Sequence, residues 1–345
     1  MAARMAINGL GRIGRAVFKI ALDTLELEVV AVNDIVPAEN LAYLLKYDTV
    51  YRRYHRRVEA EEDALIVDGK RYPVLNMKDP AQLPWGEMNV DIAVESTGVF
   101  TRQEDLQKHI EAGAKYAILS APVKSSDDEA EIPTVVHGVN SPDSAPRMIS
   151  CASCTTNCIT PVVEIMGRRI GIKKAIMTTM HAYTSSQSIV DSPSKSLRRG
   201  RAGAANLVPT STGAAVATTK ALPQYKGLFN GVAVRAPVTV GSIADITFIT
   251  ERETSKDEVN EIFRQEAQSE RYKDVVAVTD DPIVSSDVIQ DSHASIIDLS
   301  MTMVVGGDLV KIMSWYDNEW GYAAQLVREA VRIAQTEPAM AGAPA

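Results

Sequence analysis

One cysteine of this chain stands where its sulfur could act as a nucleophile. Cys154 lies in the run Ser-Cys-Thr-Thr-Asn-Cys-Ile-Thr at 153–160, at the predicted start of a helix that runs toward Met166. Backbone N–H groups at a helix start are unpaired and carry partial positive charge, so they favour a thiolate over a thiol. The thiolate is the reactive form, and such a position can lower the pKa of a cysteine. The run indicates a catalytic cysteine, with a buried structural cysteine as the alternative.

A glycine-rich turn near the N-terminus predicts a nucleotide site. Residues 9–14 read Gly-Leu-Gly-Arg-Ile-Gly and lie between a predicted strand and a predicted helix at Arg12–Leu22. In this pattern Gly9 permits a tight turn, Gly11 lets a pyrophosphate approach the backbone, and Gly14 lets the helix and the strand pack closely. The N-terminus of the helix supplies the anion site.

Asp34 completes this nucleotide pattern. It follows a predicted buried strand at Glu28–Val32, at the position where a carboxylate accepts hydrogen bonds from the adenosine ribose. The same charge would repel a 2′-phosphate, so NAD is favoured over NADP. Ser96-Thr97-Gly98 and Ser120 fall at the ends of further predicted strands, at the sheet edge where open α/β sheets bind ligands. A βαβ turn without a nucleotide is the structural alternative.

Composition and charge exclude several classes of protein. With 345 residues, 46% hydrophobic and 23% charged, the chain is typical of a globular protein with two domains. The net charge of −8 argues against nucleic acid or a membrane as the main partner. No apolar run approaches membrane-spanning length, and no secretory leader precedes the first predicted strand. The three cysteines form no disulfide framework, so we expect a soluble, cytoplasmic protein.

A run of charges between Asp48 and Asp63 has two interpretations. Four arginines between Arg52 and Arg57 surround a tyrosine and a histidine, and carboxylates follow them. Runs of this kind usually form a solvated face. An effector or partner site for a phosphorylated ligand is the alternative.

Six motifs follow one another along the chain. They are the glycine turn at 9–14, Ser96-Thr97-Gly98, the cysteine run at 153–158, His181-Ala182-Tyr183-Thr184, Ser-Thr-Gly-Ala-Ala at 211–215, and Trp-Tyr-Asp-Asn-Glu-Trp-Gly-Tyr at 315–322. Together they resemble the motifs of the phosphorylating glyceraldehyde-3-phosphate dehydrogenase family, and the resemblance covers about residues 4–335.

This resemblance implies an α/β fold with two domains. A Rossmann NAD-binding domain would span residues 1–153 and be completed by a C-terminal helix at 319–337. An α+β catalytic and tetramerisation domain with a mixed, mainly antiparallel sheet would span 154–318. The segment 191–208 resembles the family's long loop, which packs against a neighbouring subunit, so a homotetramer is implied. The tail at 338–345 is expected to be disordered.

The hydrophobic pattern places strands in both predicted domains. In the first they are Val90–Glu95, Tyr116–Ser120, Thr134–Val139 and Met148–Ser150. In the second they are Ala175–His181, Gly231–Arg235, Ile243–Thr250, Ile296–Asp298 and Leu309–Trp315.

The resemblance also implies a reaction. Cys154 would attack the aldehyde of glyceraldehyde 3-phosphate to give a thiohemiacetal. Hydride transfer to the nicotinamide would leave a thioester, from which inorganic phosphate releases 1,3-bisphosphoglycerate. His181 matches the family's acid–base partner. As imidazolium it would stabilise the thiolate, and as imidazole it would take the hydroxyl proton during hydride transfer.

Binding residues follow from the resemblance as well, and no metal is expected. Those for the substrate phosphate are Thr184, Arg199 and Arg235, and those for the attacking phosphate are Ser153, Thr155, Thr212 and Gly213. Asn318 would fix the nicotinamide carboxamide. The full set for NAD is Gly9, Gly11, Arg12, Ile13, Gly14, Asp34, Lys78, Ser96, Thr97, Gly98, Ser120, Asn318 and Tyr322.

Three parts of the chain depart from the family pattern: Cys151, Ser192-Pro193, and Val50-Tyr51-Arg52-Arg53, which replaces the usual family residues after Tyr47-Asp48-Thr49. Cys151 stands where the family usually has asparagine, which creates a C-x-x-C spacing with Cys154. It is either a packed neutral thiol or the resolving thiol of a redox switch that reduces a sulfenic acid at Cys154. Zinc fits poorly because no further cysteine supplies a fourth ligand. Ser192-Pro193 carries a small residue where NAD-specific members often have a larger one, so weaker use of NADP is expected beside NAD.

Two other functions compete with this interpretation. An erythrose-4-phosphate dehydrogenase shares the nucleophile but hydrolyses its thioester, and Thr212-Gly213 argues for phosphate as the acceptor instead. The negative net charge and the complete set of catalytic residues argue against a nucleotide- or RNA-binding protein without catalysis. The motifs fit a glycolytic or a biosynthetic direction equally, and arsenate could enter the phosphate site by its geometry.

Overall fold

The computed structural model describes residues 2–124, 132–142 and 146–336, which form two compact units. Unit 1 comprises Met1–Val135, Ser141–Ala152 and Leu326–Ala345, and unit 2 comprises Val136–Asn140 and Ser153–Gln325. The tail expected to be disordered, 338–345, lies outside the described residues. No helix within the described ranges has both the length and the apolar character needed to cross a membrane.

Unit 1 is an α/β structure on an eight-stranded sheet of order β10-β9-β8-β1-β2-β7-β6-β5. The strands of that sheet are β1 (Ala3–Asn8), β2 (Leu27–Asn33), β5 (Val58–Glu61), β6 (Ala64–Val67), β7 (Lys70–Leu75), β8 (Ile92–Glu95), β9 (Tyr116–Leu119) and β10 (Met148–Ser150). Strands β3 (Tyr47–Asp48) and β4 (Arg52–Arg53) form a separate two-stranded sheet. The helices of unit 1 are α1 (Arg12–Ala21), α2 (Ala38–Lys46) and α3 (Gln103–Glu111). Pairing is parallel from β10 to β7 and antiparallel among β7, β6 and β5.

The central strands of this sheet are buried on both faces. Every residue of β8 and β9 is buried, as parallel strands covered on two sides require. The register aligns Asn8 with Asn33 on one side and with Glu95 on the other. The carboxyl ends of β1, β2 and β8 therefore meet at one edge, where the glycine turn begins.

The predicted strand at Thr134–Val139 is wrong. Only Thr134 pairs, through a single parallel bridge to Ser150. The residues after it turn instead, because Gly138 adopts φ +75° and the Asn140 side chain accepts a hydrogen bond from Val136 N at 2.8 Å. The β-branched run had the composition of a strand, but these local bonds close the segment on itself.

Unit 2 is built on a mixed, mainly antiparallel sheet of order β12-β13-β11-β14-β18-β16-β15, with β17 paired to β18. Its strands are β11 (Ile172–Ala182), β12 (Val208–Ser211), β13 (Phe229–Ala236), β14 (Ser242–Thr250), β15 (Val276–Thr279), β16 (Ser295–Asp298), β17 (Met303–Val305) and β18 (Leu309–Tyr316). Its helices are α4 (Cys154–Arg169), α5 (Ala214–Ala221) and α6 (Lys256–Ala267). Helix α7 (Trp320–Thr336) belongs to unit 2 up to Gln325 and to unit 1 from Leu326.

Helix α4 lies in the core of unit 2. Ile159 and Val163 are buried in one apolar cluster with Ile246 of β14 and Ile312 of β18. Strand β14 alternates buried and half-buried residues along its length, so one face of it supplies the core. Close packing around α4 leaves it little freedom to rotate or slide, so the position of its first residue, Cys154, is fixed by the core.

Candidate active site

The glycine turn of unit 1 is held by contacts that exclude side chains at two of its three glycines. Gly9 has φ +91°, and a Cβ there would lie 2.6 Å from Thr97 N. A Cβ on Gly14 would lie 1.9 Å from the carbonyl oxygen of Gly9, which also accepts a hydrogen bond from Ser96 Oγ at 2.7 Å. A Cβ on Gly11 would meet nothing within 4 Å. The turn therefore has no room for a side chain at Gly9 or Gly14, whereas Gly11 faces open space.

This contrast yields a prediction with a matched pair of variants. Gly14→Ala should lower the free energy of unfolding, because the methyl group overlaps a backbone oxygen and forces the helix from the strand, at a cost of about 1–3 kcal/mol. Gly11→Ala should leave stability within about 0.5 kcal/mol and weaken NAD binding instead, because its methyl group occupies the open space. Urea unfolding and NAD titration check both. Equal loss of stability in the two variants would contradict the assignment of Gly11 to the ligand.

Asp34 and Arg12 lie on either side of this turn. Asp34 accepts hydrogen bonds from Leu10 N at 2.8 Å and from Val36 N at 3.1 Å, one on each carboxylate oxygen. Each oxygen keeps lone-pair capacity for a ribose hydroxyl. Arg12 pairs with Asp48 at 2.5 Å and lies over the ring of Tyr51. Two charges of opposite sign, those of Arg12 and Asp34, thus lie beside Gly11 at the edge of the sheet. Ile13 follows in the first turn of α1.

The loop that carries Lys78 is fixed to the same edge by an asparagine. Asn33 Nδ2 donates to Met77 O at 2.9 Å, and Asn33 Oδ1 accepts from Met77 N at 3.0 Å. Lys78 itself is exposed. Ser120 continues the edge beyond β9, where its N–H donates to Glu95 O at 2.9 Å.

A buried carboxylate that sequence reasoning missed supports the 96–98 loop. Glu95 accepts hydrogen bonds from Thr97 N at 2.8 Å, from Thr97 Oγ1 and from Asn8 Nδ2. His109 Nε2 lies 3.1 Å from the same carboxylate, and Trp85 Nε1 donates to His109 Nδ1 at 3.0 Å. The indole can only donate, so His109 carries its proton on Nε2 and donates to Glu95. An acidic residue ending a buried strand was the one signal in the sequence.

Two of the four arginines of the run form ion pairs at the surface. Arg56 pairs with Asp23 and Asp68, and Arg57 pairs with Glu59. These contacts are those of a solvated face, the commoner of the two interpretations of the run.

In unit 2 the candidate nucleophile begins a capped helix. Ser153 caps α4, because its Oγ accepts a hydrogen bond from Thr156 N at 3.1 Å. Cys154 is the next residue, half-buried, with Sγ 3.3 Å from His181 Nε2. Burial raises the pKa of the Cys154 thiol, and the Arg235 charge and the hydrogen-bond donors of Thr155 offset only part of that rise. A helix start alone therefore does not lower this pKa, contrary to the expectation from the sequence.

His181 is held on its other side by Arg235. Its Nδ1 lies 2.6 Å from Arg235 Nη1 and 2.7 Å from Ala182 O, and the same guanidinium nitrogen donates to Ala182 O at 3.0 Å. A guanidinium can only donate to Nδ1 and a carbonyl oxygen can only accept from it, so Nδ1 makes one of these two hydrogen bonds at a time. With Arg235 as the donor, the ring proton lies on Nε2, facing Cys154. Burial, followed by the Arg235 charge, lowers the pKa of His181 to about 3. The free site thus holds a neutral imidazole.

The buried neutral histidine should make stability pH-dependent. The folded chain keeps His181 neutral down to about pH 3, whereas the unfolded chain protonates it below about 6.5. The unfolded state then binds more protons between these values, so the free energy of unfolding falls as pH is lowered, by up to about 1.4 kcal/mol per pH unit from this residue. The free energy of unfolding is measured with urea at pH 7.5 and at pH 5. Its decrease between these two pH values should be smaller for His181→Asn than for the parent chain or for the variant His55→Asn, which changes an exposed histidine. Identical losses in all three proteins would contradict the assignment.

Arg235 has the character of an anion-binding group. Within the described ranges it pairs with no carboxylate, and its Nε is buried without a hydrogen-bond partner. Burial lowers the pKa of Arg235, and the nearby charge of Arg199 contributes to the decrease. Arg199 is held by Thr210, whose Oγ1 accepts from Arg199 Nε at 2.9 Å. Two neighbouring guanidinium groups that have no carboxylate partner among the described residues favour a bound phosphate.

Thr155 is placed by Tyr316, which lies in the 315–322 motif but had no predicted role. Tyr316 OH lies 2.9 Å from Thr155 Oγ1 and 2.8 Å from Thr179 Oγ1, and the edge of its ring faces His181. Direct contacts thus join Cys154, His181 and Arg235, and Tyr316 links Thr155 to them.

The hydrogen bonds that Thr184 and Thr212 make with other described residues are local. Thr184 Oγ1 lies 2.9 Å from Ser186 Oγ. Thr212 Oγ1 accepts from Ala214 N at 3.2 Å, beside Gly213 at the start of α5. These bonds do not link Thr184, Thr212 or Gly213 to Cys154.

Asn318 and Tyr322 are both buried near the start of α7. Asn318 Oδ1 accepts hydrogen bonds from Gly241 N at 3.2 Å and from Ser242 Oγ at 3.0 Å. The side-chain oxygen of Asn318 is therefore already used in hydrogen bonds within the protein.

The other two cysteines are buried and protonated. Burial raises the pKa of Cys151 well above its ordinary value and that of Cys158 to about 12. A protonated buried thiol is a poor resolving nucleophile, which favours the packed neutral thiol at Cys151. Among the described residues, no group of three or more histidines, cysteines and carboxylates could hold a metal ion.

Comparison with known proteins gives consistent matches along the chain. The family model for the NAD binding domain of glyceraldehyde 3-phosphate dehydrogenase matches residues 3–103, and the model for its C-terminal domain matches residues 153–318. They confirm the predicted α/β fold class, a Rossmann NAD-binding domain with an α+β domain, and NAD as the cofactor.

Curated relatives match over nearly their whole length. The glyceraldehyde-3-phosphate dehydrogenase of Streptomyces coelicolor is 48% identical over 331 residues, 95% of this chain and 97% of the relative. That of Geobacillus stearothermophilus is 46% identical over 337 residues, 97% and 99% of the two chains. That of Thermotoga maritima is 46% identical over 329 residues, 94% and 97%. The chain therefore belongs to the glyceraldehyde-3-phosphate dehydrogenase family.

Proposed function

We propose that the chain catalyses the phosphorylating oxidation of D-glyceraldehyde 3-phosphate to 1,3-bisphosphoglycerate with reduction of NAD. One observation carries the proposal: the nucleophile Cys154 lies at a capped helix start, 3.3 Å from an imidazole that contacts Arg235, an arginine without an anionic partner in the part of the chain that the structure describes. A thiol, an acid–base group and a phosphate-binding cation are the parts that this reaction needs beside the cofactor.

The residues present fit the cofactor. Gly11 leaves open space at the N-terminus of α1, Asp34 keeps lone pairs for ribose hydroxyls, and the Asn318 amide nitrogen has no partner within the described ranges. When bound, NAD supplies the acceptor for the hydride that leaves the substrate carbon.

Cys154 and His181 would carry out the covalent steps. The sulfur attacks the aldehyde carbon, and the thiohemiacetal oxygen takes a proton. His181 removes that proton as the hydride leaves, which gives a thioester on Cys154. N–H groups at the start of α4 can stabilise the negative charge on the substrate oxygen. Phosphate then attacks the thioester carbon and releases Cys154, with Ser153, Thr155, Thr212 and Gly213 as its proposed binding residues.

Arg235 would couple substrate binding to the state of His181. While Arg235 donates to Nδ1, that nitrogen cannot hold a proton, so Nε2 keeps its own and cannot accept one from the thiol. A substrate phosphate that attracts the guanidinium, with Thr184 and Arg199 as further binding residues, would free Nδ1 to donate to Ala182 O, 2.7 Å away. His181 can then act as the base for Cys154.

This coupling predicts the behaviour of an isolated anion. Glycerol 3-phosphate, which has the substrate's phosphate and no aldehyde, should speed the alkylation of Cys154 by iodoacetamide severalfold at pH 7. The acceleration should vanish in Arg235→Leu, whose apolar side chain cannot bind the phosphate. An equal acceleration in parent and variant would show that Arg235 does not control the histidine.

The function is tested by initial rates with the triose phosphate while NAD, NADP and phosphate are varied separately. Sustained NADH formation should require phosphate, and kcat/KM should be higher for NAD than for NADP. Turnover without phosphate, and a preference for erythrose 4-phosphate, would support the erythrose-4-phosphate dehydrogenase alternative. Nucleotide-dependent RNA retention without turnover would support the binding-protein alternative. The named relatives lend support to neither.

A homotetramer in the cytoplasm is the proposed setting. Unit 2 exposes several large apolar side chains, among them Ile189, Leu197 and Leu207, which are 87%, 85% and 68% exposed, and Ile176 and Val232 of its sheet. Apolar side chains this exposed are typical of a surface that a subunit contact covers. Analytical ultracentrifugation should give four times the chain mass, and a monomer would contradict the proposal.

A further inference from the structure

We infer that Ser242 is a positioning residue for the cofactor: with Gly241 N–H, it fixes the Asn318 amide so that only N–H donors face the nicotinamide. The site would then recognise the carbonyl oxygen of the carboxamide and not its NH₂ group. The inference rests on the proposed function, which assigns Asn318 to the carboxamide.

Two backbone donors determine the direction of every bond around Asn318. Gly241 N–H can only donate, so the Asn318 atom 3.2 Å from it is the oxygen Oδ1. Ala182 N–H can only donate, so Ser242 Oγ accepts it at 3.1 Å. The hydroxyl proton of Ser242 is then free for Asn318 Oδ1, 3.0 Å away. Inverting the amide would set an NH₂ group against Gly241 N–H.

Burial makes this arrangement costly to break. Ser242 is 1% exposed and Asn318 is 4% exposed, so water does not readily replace a lost hydrogen bond. Within the described residues, nothing accepts a hydrogen bond from Asn318 Nδ2. The two N–H donors of the Asn318 amide can therefore bind an acceptor on a ligand.

Because Asn318 presents only N–H donors, the site should discriminate among NAD analogues that differ in the carboxamide group. The group presents one acceptor oxygen and one donor NH₂, and donors on Asn318 can bind only the oxygen. The 3-acetylpyridine analogue of NAD keeps the oxygen and lacks the NH₂, so it should bind nearly as well as NAD. The thionicotinamide analogue carries sulfur, a weaker acceptor, and should bind more weakly.

The experiment compares Ser242→Ala, Ser242→Thr and a control, Ser295→Ala, in the full-length protein. Ser295 is a fully buried serine of the same sheet whose hydroxyl bonds to Ser314, away from Asn318. Dissociation constants for NAD and both analogues are measured by calorimetric titration. Alanine at 242 should weaken NAD about tenfold and reduce the discrimination between NAD and its thio analogue. Threonine, which keeps the hydroxyl, should restore both, and Ser295→Ala should resemble the parent chain.

A second measurement separates positioning from damage to the active site. Ser242 also holds Ala182, next to His181, so the alkylation rate of Cys154 without NAD is measured in each variant. In Ser242→Ala this rate should change by a smaller factor than the NAD affinity does. Unaltered NAD affinity and analogue discrimination in that variant would overturn the inference, as would a preference for the thio analogue in the parent chain.

The variant Asn318→Ala shows whether a negative result refutes the inference about Ser242 or the proposed role of Asn318 in binding NAD. If Asn318→Ala weakens NAD and Ser242→Ala does not, Asn318 keeps its proposed role and the inference about Ser242 is wrong. If neither variant changes NAD binding, the proposed role of Asn318 is wrong as well.

Discussion

Replacing Cys154 with alanine should reduce kcat for oxidation of the triose phosphate by a factor on the order of 10⁵ or more, because loss of the nucleophile removes both covalent steps. NAD binding should change little, since the cofactor contacts proposed here involve other residues. Steady-state rates with the triose phosphate, NAD and phosphate, together with NAD titration, measure the two effects. Alanine is preferred to serine because it leaves no oxygen that could attack in place of the sulfur.

Cys158→Ala is the matched control for this variant. Cys158 lies one turn along the same helix, is fully buried, and contacts Ser314 Oγ at 3.3 Å. Removing its sulfur costs about 1–2 kcal/mol of packing and should leave most of the activity. Substantial turnover in Cys154→Ala, or a comparable loss in Cys158→Ala, would mean that the nucleophile has been assigned to the wrong residue.

Replacing His181 with asparagine should reduce kcat by about 10²–10⁴-fold, the range expected for loss of a general acid–base group. The imidazole has one ring nitrogen 3.3 Å from Cys154 Sγ and the other in contact with Arg235, so the variant removes the proton acceptor while Cys154 remains. The KM for the triose phosphate should change much less than kcat. The loss is measured as the rate of the first NADH burst, which reports formation of the thioester.

The pH profile identifies the origin of that loss. In the parent chain, alkylation of Cys154 with glycerol 3-phosphate present should be substantial at neutral pH, because His181 can take the thiol proton. In His181→Asn it should require alkaline pH, as for a thiol whose pKa is raised by burial. His55→Asn, on an exposed loop, should match the parent chain. A parental burst rate and profile in His181→Asn would rule out His181 as the base.

The sequence predicted most elements of both sheets because their apolar patterns are regular. The strand Met148–Ser150 was predicted with the bounds that the structure shows, and the helix at Arg12 and that at Cys154 begin where expected. The strand at Thr134–Val139 was wrong because Gly138 and Asn140 form a local turn, which a β-branched composition does not reveal.

The active site was predictable in its residue types and less so in its electrostatics. Motifs pointed to Cys154, His181 and Arg235, but the guanidinium contact with Nδ1 depends on how β11 and β13 pair, which places His181 beside Arg235. The pKa of Cys154 was misjudged because burial outweighs the helix start. Glu95 and Ser242 were missed because their importance lies in buried hydrogen bonds, which leave no spacing in the sequence.

The most direct test is to trap the acyl group by mass spectrometry. The protein is mixed with the triose phosphate and NAD in buffer free of phosphate, then quenched in acid and digested. We expect a phosphoglyceryl thioester on the peptide that contains Cys154, formed with NADH in equal amount and discharged when phosphate is added. Rapid turnover with no adduct at Cys154, or with the acyl group on another residue, would contradict the account.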